Sequence, residues 1–403
     1  MLFPTPETGR RPEDELVLYS ARTSVEAATA TAIQKILSSS LDWDRVVLQA
    51  VRHGVAPLVY RSLNRVAAMM VPDDVRGRLH ECFHSNAARS FLLTAELLKL
   101  LRQLEDEGIK AIPFKGPALA AAAYRDLTLR QFSDLDVLIH REDLERTKNL
   151  LLAQGYQSWR PLTEAEEAAH LRSAHAYTFV RTDGIVRIDL HWRIAQEIYS
   201  FGLDPESLWH RLDRVSLGGR SVPTLHAEDL LMVLCIHGSK HCWERLGWIC
   251  DVAEVVRANP ELRWDEIISR SSACHISRAV LLGLDLAKSL LDAPVPEHIS
   301  SVIQNDRGVR WISALIQKRL FARSRKVGPL ERAVLFFMTR EQLKNKLPHL
   351  AYSVRRVFSP NEHDTTLVSL PQFIRFLYYP LRFMRLTAAR TRGIVSRVFS
   401  RPS

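Results

Sequence analysis

No stretch of this chain approaches the roughly eighteen uninterrupted apolar residues that a bilayer-crossing helix requires. A transmembrane protein is therefore not expected. The opening segment, Met1 to Glu15, contains Pro, Thr, Gly and charge but no apolar run of the kind a secretory signal needs, which leads us to expect a cytoplasmic protein. Cysteine is scarce. Cys82, Cys235, Cys242, Cys250 and Cys274 are odd in number, scattered and without a CxxC spacing, so neither a disulfide framework nor a cysteine-built zinc site is indicated. They read as small buried hydrophobes. Solenoid-period repeats and low-complexity tracts are also missing, which argues against an array or a disordered scaffold. What is left, 403 residues with 46% hydrophobic and 25% charged, is an ordinary globular composition with length for about two or three domains.

Charge is present but uneven. The formal net charge is +10, yet from Lys318 onward there are 18 Lys or Arg against 4 Asp or Glu, so the preceding residues are slightly acidic. A basic tail of this kind attracts nucleic acid, an anionic surface or an acidic partner through its field. It is equally compatible with a merely solvated basic helix. Within it, Phe373, Phe376, Leu377, Leu381, Met384 and Leu386 share the segment Leu370 to Phe399 with six arginines, which suits an amphipathic helix interrupted at Pro380 and makes a membrane-surface role a hypothesis.

Residues 12 to about 107 carry apolar positions at helical spacing, with cap residues near Ser24, Ser40 and Asp73. The pattern breaks at Glu107-Gly108. Lys110 to Phe114 reads as a short strand, and Pro117 suits the first turn of a helix over Ala118 to Tyr124. Asp134 to Ile139 is a strand, Glu142 to Gln154 a helix ended by Gly155, and His175 to Arg181 with Ile185 to Ile194 a strand pair around Thr182-Asp183-Gly184. Helices follow over Ala227 to Ala258, Trp264 to Ser272 and Ile276 to Leu291, with Ala293-Pro294-Val295-Pro296 as punctuation. The expected fold class is α+β: a mixed-sheet core with helical flanks. The expected division is a helical region 1–107, an α/β core 108–204, a helical domain 205–330 and a basic amphipathic tail 331–403.

The chemistry concentrates in the core. Side chains two apart on a strand share a face, so Asp134 and Asp136 project together while Leu135 and Val137 point the other way. Two ionised carboxylates that close repel unless a cation lies between them. The strand pair can carry Asp189 beside them, giving three carboxylates for one metal site. Mg²⁺ (or Mn²⁺) is the candidate, a hard ion that takes oxygen ligands and keeps part of its shell for phosphates.

Lys115-Gly116, Arg130, Ser133 to Ile139, Ile188 to Arg193, His237 to His241 and Trp248 to Asp251 together resemble the blocks of the bacterial uncharacterised nucleotidyltransferase family, stand-alone proteins with the nucleotidyltransferase fold of the DNA polymerase β superfamily. The resemblance extends over roughly residues 85 to 300. It implies metal-dependent transfer of a nucleoside monophosphate from an NTP to a hydroxyl or phosphate acceptor, with Asp134, Asp136 and Asp189 catalytic and metal-binding. It also implies nucleotide or phosphate contacts from Lys115, Gly116, Arg130 and Ser133. Gly116 is followed by Pro117 where the wider superfamily has Gly or Ser, so one hydroxyl and one backbone donor are missing from the phosphate cradle.

Several residues keep two readings. His191 and Arg193 lie two and four residues beyond Asp189, suited to touching base or acceptor, or to structural hydrogen bonds. His237 and His241 have the spacing of a zinc-ligand pair on one helix, but no Glu follows His237 and no third ligand is evident. With Lys240 they suit a cleft wall meeting phosphate or acceptor. Trp243, Trp248 and Trp264 suit either the core or base stacking. The acceptor, whether RNA, protein, peptide or small molecule, is unreadable because specificity lives outside the fold. The alternative function is a non-catalytic nucleotide-, RNA- or protein-binding regulatory protein that retains the fold.

Overall fold

A computed structural model describes residues 10–160, 162–196, 202–322, 327–339 and Tyr378. Apart from Tyr378, the segment from Leu370 to Phe399 lies outside the described residues. The chain divides into two compact units. The second, residues 327–337 with 342–403, is described only for most of a helix, Pro329–Thr339, and for Tyr378. Everything below concerns the first unit.

Its N-terminal part is helical, as the apolar spacing predicts: α1 (Pro12–Ser20), α2 (Ala27–Leu37), α3 (Trp43–Arg52), α4 (Ala56–Ala67) and the 34-residue α5 (Asp73–Asp106). The caps sit slightly off the expected positions. Asp42 caps α3 by accepting from the Arg45 amide, Glu26 precedes α2, and Pro72 precedes α5, leaving Asp73 and Asp74 to face the positive end of its dipole.

The sheet is built from β1 (Ala111–Pro113), β2 (Leu135–Ile139), β3 (Tyr156–Ser158), β4 (Ala176–Arg181) and β5 (Arg187–His191) in the order β1-β2-β5-β4-β3. Between β1 and β2 lies a short helix, α6 (Gly116–Leu119), that loosens into a π turn over Ala120–Tyr124. Only β2 and β5 run parallel. Helix α7 (Leu144–Ala153) connects β2 to β3, and α8 (Glu164–Ser173), with a Thr163/Glu166 capping box, connects β3 to β4. Strand β3 and helix α8 escape the sequence reading because three residues are too few to show alternation and α8 has almost no apolar stripe.

Alternation along β2 and β5 divides the sheet. Leu135, Val137 and Ile139 join Ile188, Leu190 and Phe179 in a core shared with Leu93, Leu97, Leu100 and Leu104 of α5. The intervening residues of β2 and β5, Asp136 and Asp189 among them, belong to the opposite face. Each fully buried aliphatic side chain contributes about 1.5–3 kcal/mol, so this one-sided burial pins the register.

After α9 (Pro205–Trp209), a hairpin of β6 (Leu212–Leu217) and β7 (Arg220–Leu225) stands where no element was expected. Its signal is the two-residue turn Gly218-Gly219, both at positive φ (55° and 80°), a conformation that costs glycine little. Thr224 donates from Oγ1 to the Pro113 carbonyl at 3.1 Å, tying the hairpin to β1.

Helices α10 (Ala227–Lys240), α11 (Leu246–Ala258), α12 (Trp264–Ala273), α13 (Ser277–Leu291), α14 (Glu297–Asn305) and α15 (Arg307–Leu320) complete the unit. The run expected as one helix over 227–258 is two. Cys242 and Trp243 both adopt left-handed backbone (φ 54° and 50°), reversing the chain. The Trp243 ring folds back over Gly238, where a Cβ would overlap it, and over Gly283, where a Cβ would also meet Cys235 Sγ. Gly238→Ala is therefore expected to cost about 1–3 kcal/mol through overpacking. A thermal melt of the variant matching wild type would show that the ring can yield. No helix among the described residues is long and apolar enough to cross a membrane.

Candidate active site

The parallel pairing of β2 with β5 sets Asp136 directly beside Asp189, and Asp134 sits at the entry to β2. All three line one cleft of about 1020 Å³, together with Lys115, Gly116, Arg130, Ser133, His191, His237, Lys240 and His241. Arg193 does not line it. Strand β5 ends at His191, so the face alternation expected to carry Arg193 inward stops there. Its carbonyl instead lies 3.2 Å from His191 Nδ1.

The carboxylates are in three different states. Asp136 is buried, and its Oδ1 takes both Lys115 Nζ and His191 Nε2 at 3.0 Å. Burial alone would raise its pKa, but Lys115 and His191 hold it well below the usual carboxylate range. Its Oδ2 accepts no hydrogen bond from a described residue. Asp134 accepts none on either oxygen, and burial, then the neighbouring Asp136 charge, push its pKa up despite Lys115. Asp189 is engaged on both oxygens: Arg187 forks onto it, Nε to Oδ1 at 3.2 Å and Nη2 to Oδ2 at 3.0 Å, while Thr178 donates to Oδ1 at 2.6 Å.

This tests the fit of a divalent cation. As they stand, no three His, Cys, Asp or Glu side chains among the described residues form a group that could hold a metal ion. Asp134 and Asp136 nevertheless fit one: two neighbouring carboxylates offer unengaged oxygens, and the raised pKa of Asp134 is what a cation would relieve. Asp189 is less available, because the Arg187 guanidinium already neutralises its charge.

Lys115 lies two residues beyond β1, at the N-cap of α6, and leads into Gly116, whose φ of +55° and close approach, 3.3 Å from a would-be Cβ to the Asp134 carbonyl oxygen, require glycine. Arg130 stands behind this turn. Its Nε and Nη2 pair with the two Asp251 oxygens at 2.7 and 2.9 Å, its Nη1 reaches the Gly116 carbonyl at 3.5 Å, and Tyr124 donates to Asp251 at 2.7 Å. Burial works against the guanidinium charge and Asp251 more than offsets it; the Tyr124 hydroxyl, buried beside Asp251, is pushed well up. Exposure separates the two arginines. The Arg187 pair is half exposed on the arginine side, and such pairs contribute about 0.2–1 kcal/mol. The Arg130 pair is buried, and breaking one costs about 3–5 kcal/mol. Arg130 thus braces the Gly116 turn while also lining the cleft.

The far wall comes from the end of α10 and the start of α11. The His237, His241 and Trp248 rings contact one another, with centroids 4.6 to 5.6 Å apart, and all line the cleft. Burial, then Lys115, keep His237 neutral. Lys240 Nζ lies 3.2 Å from Nε2 of His175. Burial and Lys115 lower the Lys240 pKa to about 8, and burial with Lys240 lowers that of His175 to about 2, so the imidazole is the acceptor. Trp243 is core and Trp248 a cleft residue. Arg187, His175, Thr178 and Asp251 escaped the sequence reading as site residues. Arg187 had a signal, since it lies two residues before Asp189 on the same strand.

The chain belongs to the uncharacterised nucleotidyltransferase family, which it matches over residues 39–292. Comparison with curated proteins finds no match. A solved structure of an antigenic nucleotidyltransferase-like protein from Paracoccidioides brasiliensis is similar at 14% identity, with a TM-score of 0.31, over 54% of this chain and 92% of that one.

Proposed function

We propose that this protein is a metal-dependent nucleotidyltransferase that moves a nucleoside monophosphate from an NTP to a hydroxyl or phosphate acceptor. The observation that carries the reading is the register of β2 against β5, which gathers Asp134, Asp136 and Asp189 in a cleft that also contains Lys115 and Lys240. Asp134 and Asp136 would hold Mg²⁺ or Mn²⁺, with Asp189 joining them. Bound there, the ion would supply positive charge to offset the negative charge that develops as pyrophosphate leaves. The chain's own groups do the rest. Lys115 and Lys240 neutralise phosphate oxygens as point charges, Gly116 lets the backbone approach them, and Ser133 offers a hydroxyl. In this reading Asp189 takes the acceptor proton, and the Trp248 and His241 rings offer stacking faces. The test is transfer of label from each α-labelled NTP into protein, RNA and small-molecule fractions, compared between wild type and Asp134→Asn. Aspartate-dependent labelling supports transfer. Its absence from folded protein in every fraction favours a non-catalytic nucleotide-, RNA- or protein-binding role, to which Pro117 lends support by withholding an N–H from the cradle.

Lys240 supplies a pH test. Its neighbours include Lys115, Asp136, Asp189 and His175. With a pKa of about 8 it loses its charge between pH 7 and 9, so triphosphate affinity is expected to fall about fivefold over that range. Lys240→Arg should flatten the profile, as read by inorganic tripolyphosphate binding at both pH values. Parallel profiles for the two proteins would remove Lys240 from phosphate recognition. The stability effect has the opposite sense: the unfolded chain holds this proton up to about 10.5, so Lys240's contribution to stability rises with pH between about 8 and 10.5.

A further inference from the structure

We propose that Arg187 is a phosphate-responsive gate on the candidate metal site: in the free protein it occupies Asp189, and an anionic substrate draws it away, releasing that carboxylate for a cation. The inference rests on the metal-dependent reading above and assigns it an order.

Arg187 and Asp189 lie two apart on β5 and therefore on one face, and both line the cleft. The guanidinium makes a two-pronged fork on the carboxylate, 3.2 and 3.0 Å, and Thr178 supplies a third bond. Together they occupy three of the roughly four lone-pair sites of Asp189, and the guanidinium neutralises its charge, so a cation at Asp134 and Asp136 gains the full charge of the third carboxylate only when the fork leaves.

What makes Arg187 a movable occupant is its solvent side. Half of its side chain is exposed and its carboxylate partner is largely buried, so the long arm can swing while Asp189 stays on its strand, held by Thr178. A planar fork that fits a carboxylate fits a phosphate equally well. A triphosphate entering the cleft brings several negative charges, against the single one on Asp189, and becomes the better partner. Arg130 offers the contrast: it lines the same cleft and is also forked on an aspartate, but that pair is buried on both sides and hydrogen-bonded onward to Gly116, and does not exchange. Metal and nucleotide are then cooperative by linkage, each favouring the state in which Arg187 has left Asp189.

The gate predicts effects of opposite sign from one substitution. In the full-length protein, Arg187→Gln is expected to bind Mn²⁺ alone about fivefold more tightly than wild type, and inorganic tripolyphosphate in chelator about fivefold more weakly. The first is read from the free-Mn²⁺ paramagnetic resonance signal, the second by competition against a fluorescent nucleotide. Arg187→Lys, which keeps the charge but not the fork, should fall between them on both axes. A merely structural Arg187 would weaken both ligands together or leave both unchanged, and either result overturns the gate. The underlying reading fails separately: Mn²⁺ that binds neither protein, or binds both with undiminished affinity after Asp136→Asn, would remove the metal from these carboxylates and the gate with it.

Discussion

Asp134→Asn is expected to lower label transfer by about a thousandfold or more while leaving the protein as stable as wild type, or more stable. The first effect follows from losing one of two carboxylates that would hold the cation, an interaction contributing several kcal/mol to a phosphoryl-transfer transition state. The second follows from the electrostatics of the free site. Asp134 accepts no hydrogen bond from a described residue, and burial and the Asp136 charge raise its pKa, so folding pays to keep it ionised. Because the folded pKa lies above the unfolded one, wild type loses stability as pH rises through that interval. Asn keeps the shape and removes the charge. The stability gap between variant and wild type should therefore be absent in acid and open toward neutral pH, as read by melting temperature against pH. Loss of activity with gain of stability is the signature of a residue kept for function; a variant both less stable and inactive would mark Asp134 as structural.

Asp251→Ala is expected to have the largest effect on folding, about 3–5 kcal/mol. The substitution strands the Arg130 guanidinium in a nearly dry site and leaves the Tyr124 hydroxyl without its partner. Urea denaturation with an unchanged slope would read the loss directly. The double variant Arg130→Met/Asp251→Leu should recover part of it, since removing both charges removes the desolvation cost as well. It should not recover full transfer activity, because the Gly116 carbonyl loses the guanidinium that reaches it. A single-variant loss below about 1 kcal/mol would mean that the pair is solvated, and the bracing role assigned to Arg130 would fall.

Much of the core was legible before any coordinates. Strand β2 announces itself because Leu135, Val137 and Ile139 alternate with other residues in a short run, and that alternation alone sends Asp134 and Asp136 to the face away from the core. The helical flanks were legible for a similar reason, since spacing at i, i+3 and i+4 survives over many turns in helices as long as α5. Elements of a few residues were not. Strand β3 offers one large buried side chain, and the break between α10 and α11 depends on Trp243 closing over Gly238, a contact between residues whose one-dimensional pattern reads as continuous helix.

The roles of the charged residues divide along the same line. That Asp134 and Asp136 share a face was set by local pattern, because strand periodicity acts between neighbours in the chain; Asp189 joins them only through the pairing of β2 with β5. How each is used was decided by tertiary partners. Lys115 and His191 occupy one oxygen of Asp136, Arg187 occupies Asp189, and Asp251, 121 residues beyond Arg130, fixes that arginine as a brace in the cleft wall. An arginine written in one dimension carries its charge but not its solvent exposure or its partner. Those two quantities separate a guanidinium that moves to phosphate from one that stays, and both arise only when distant segments pack.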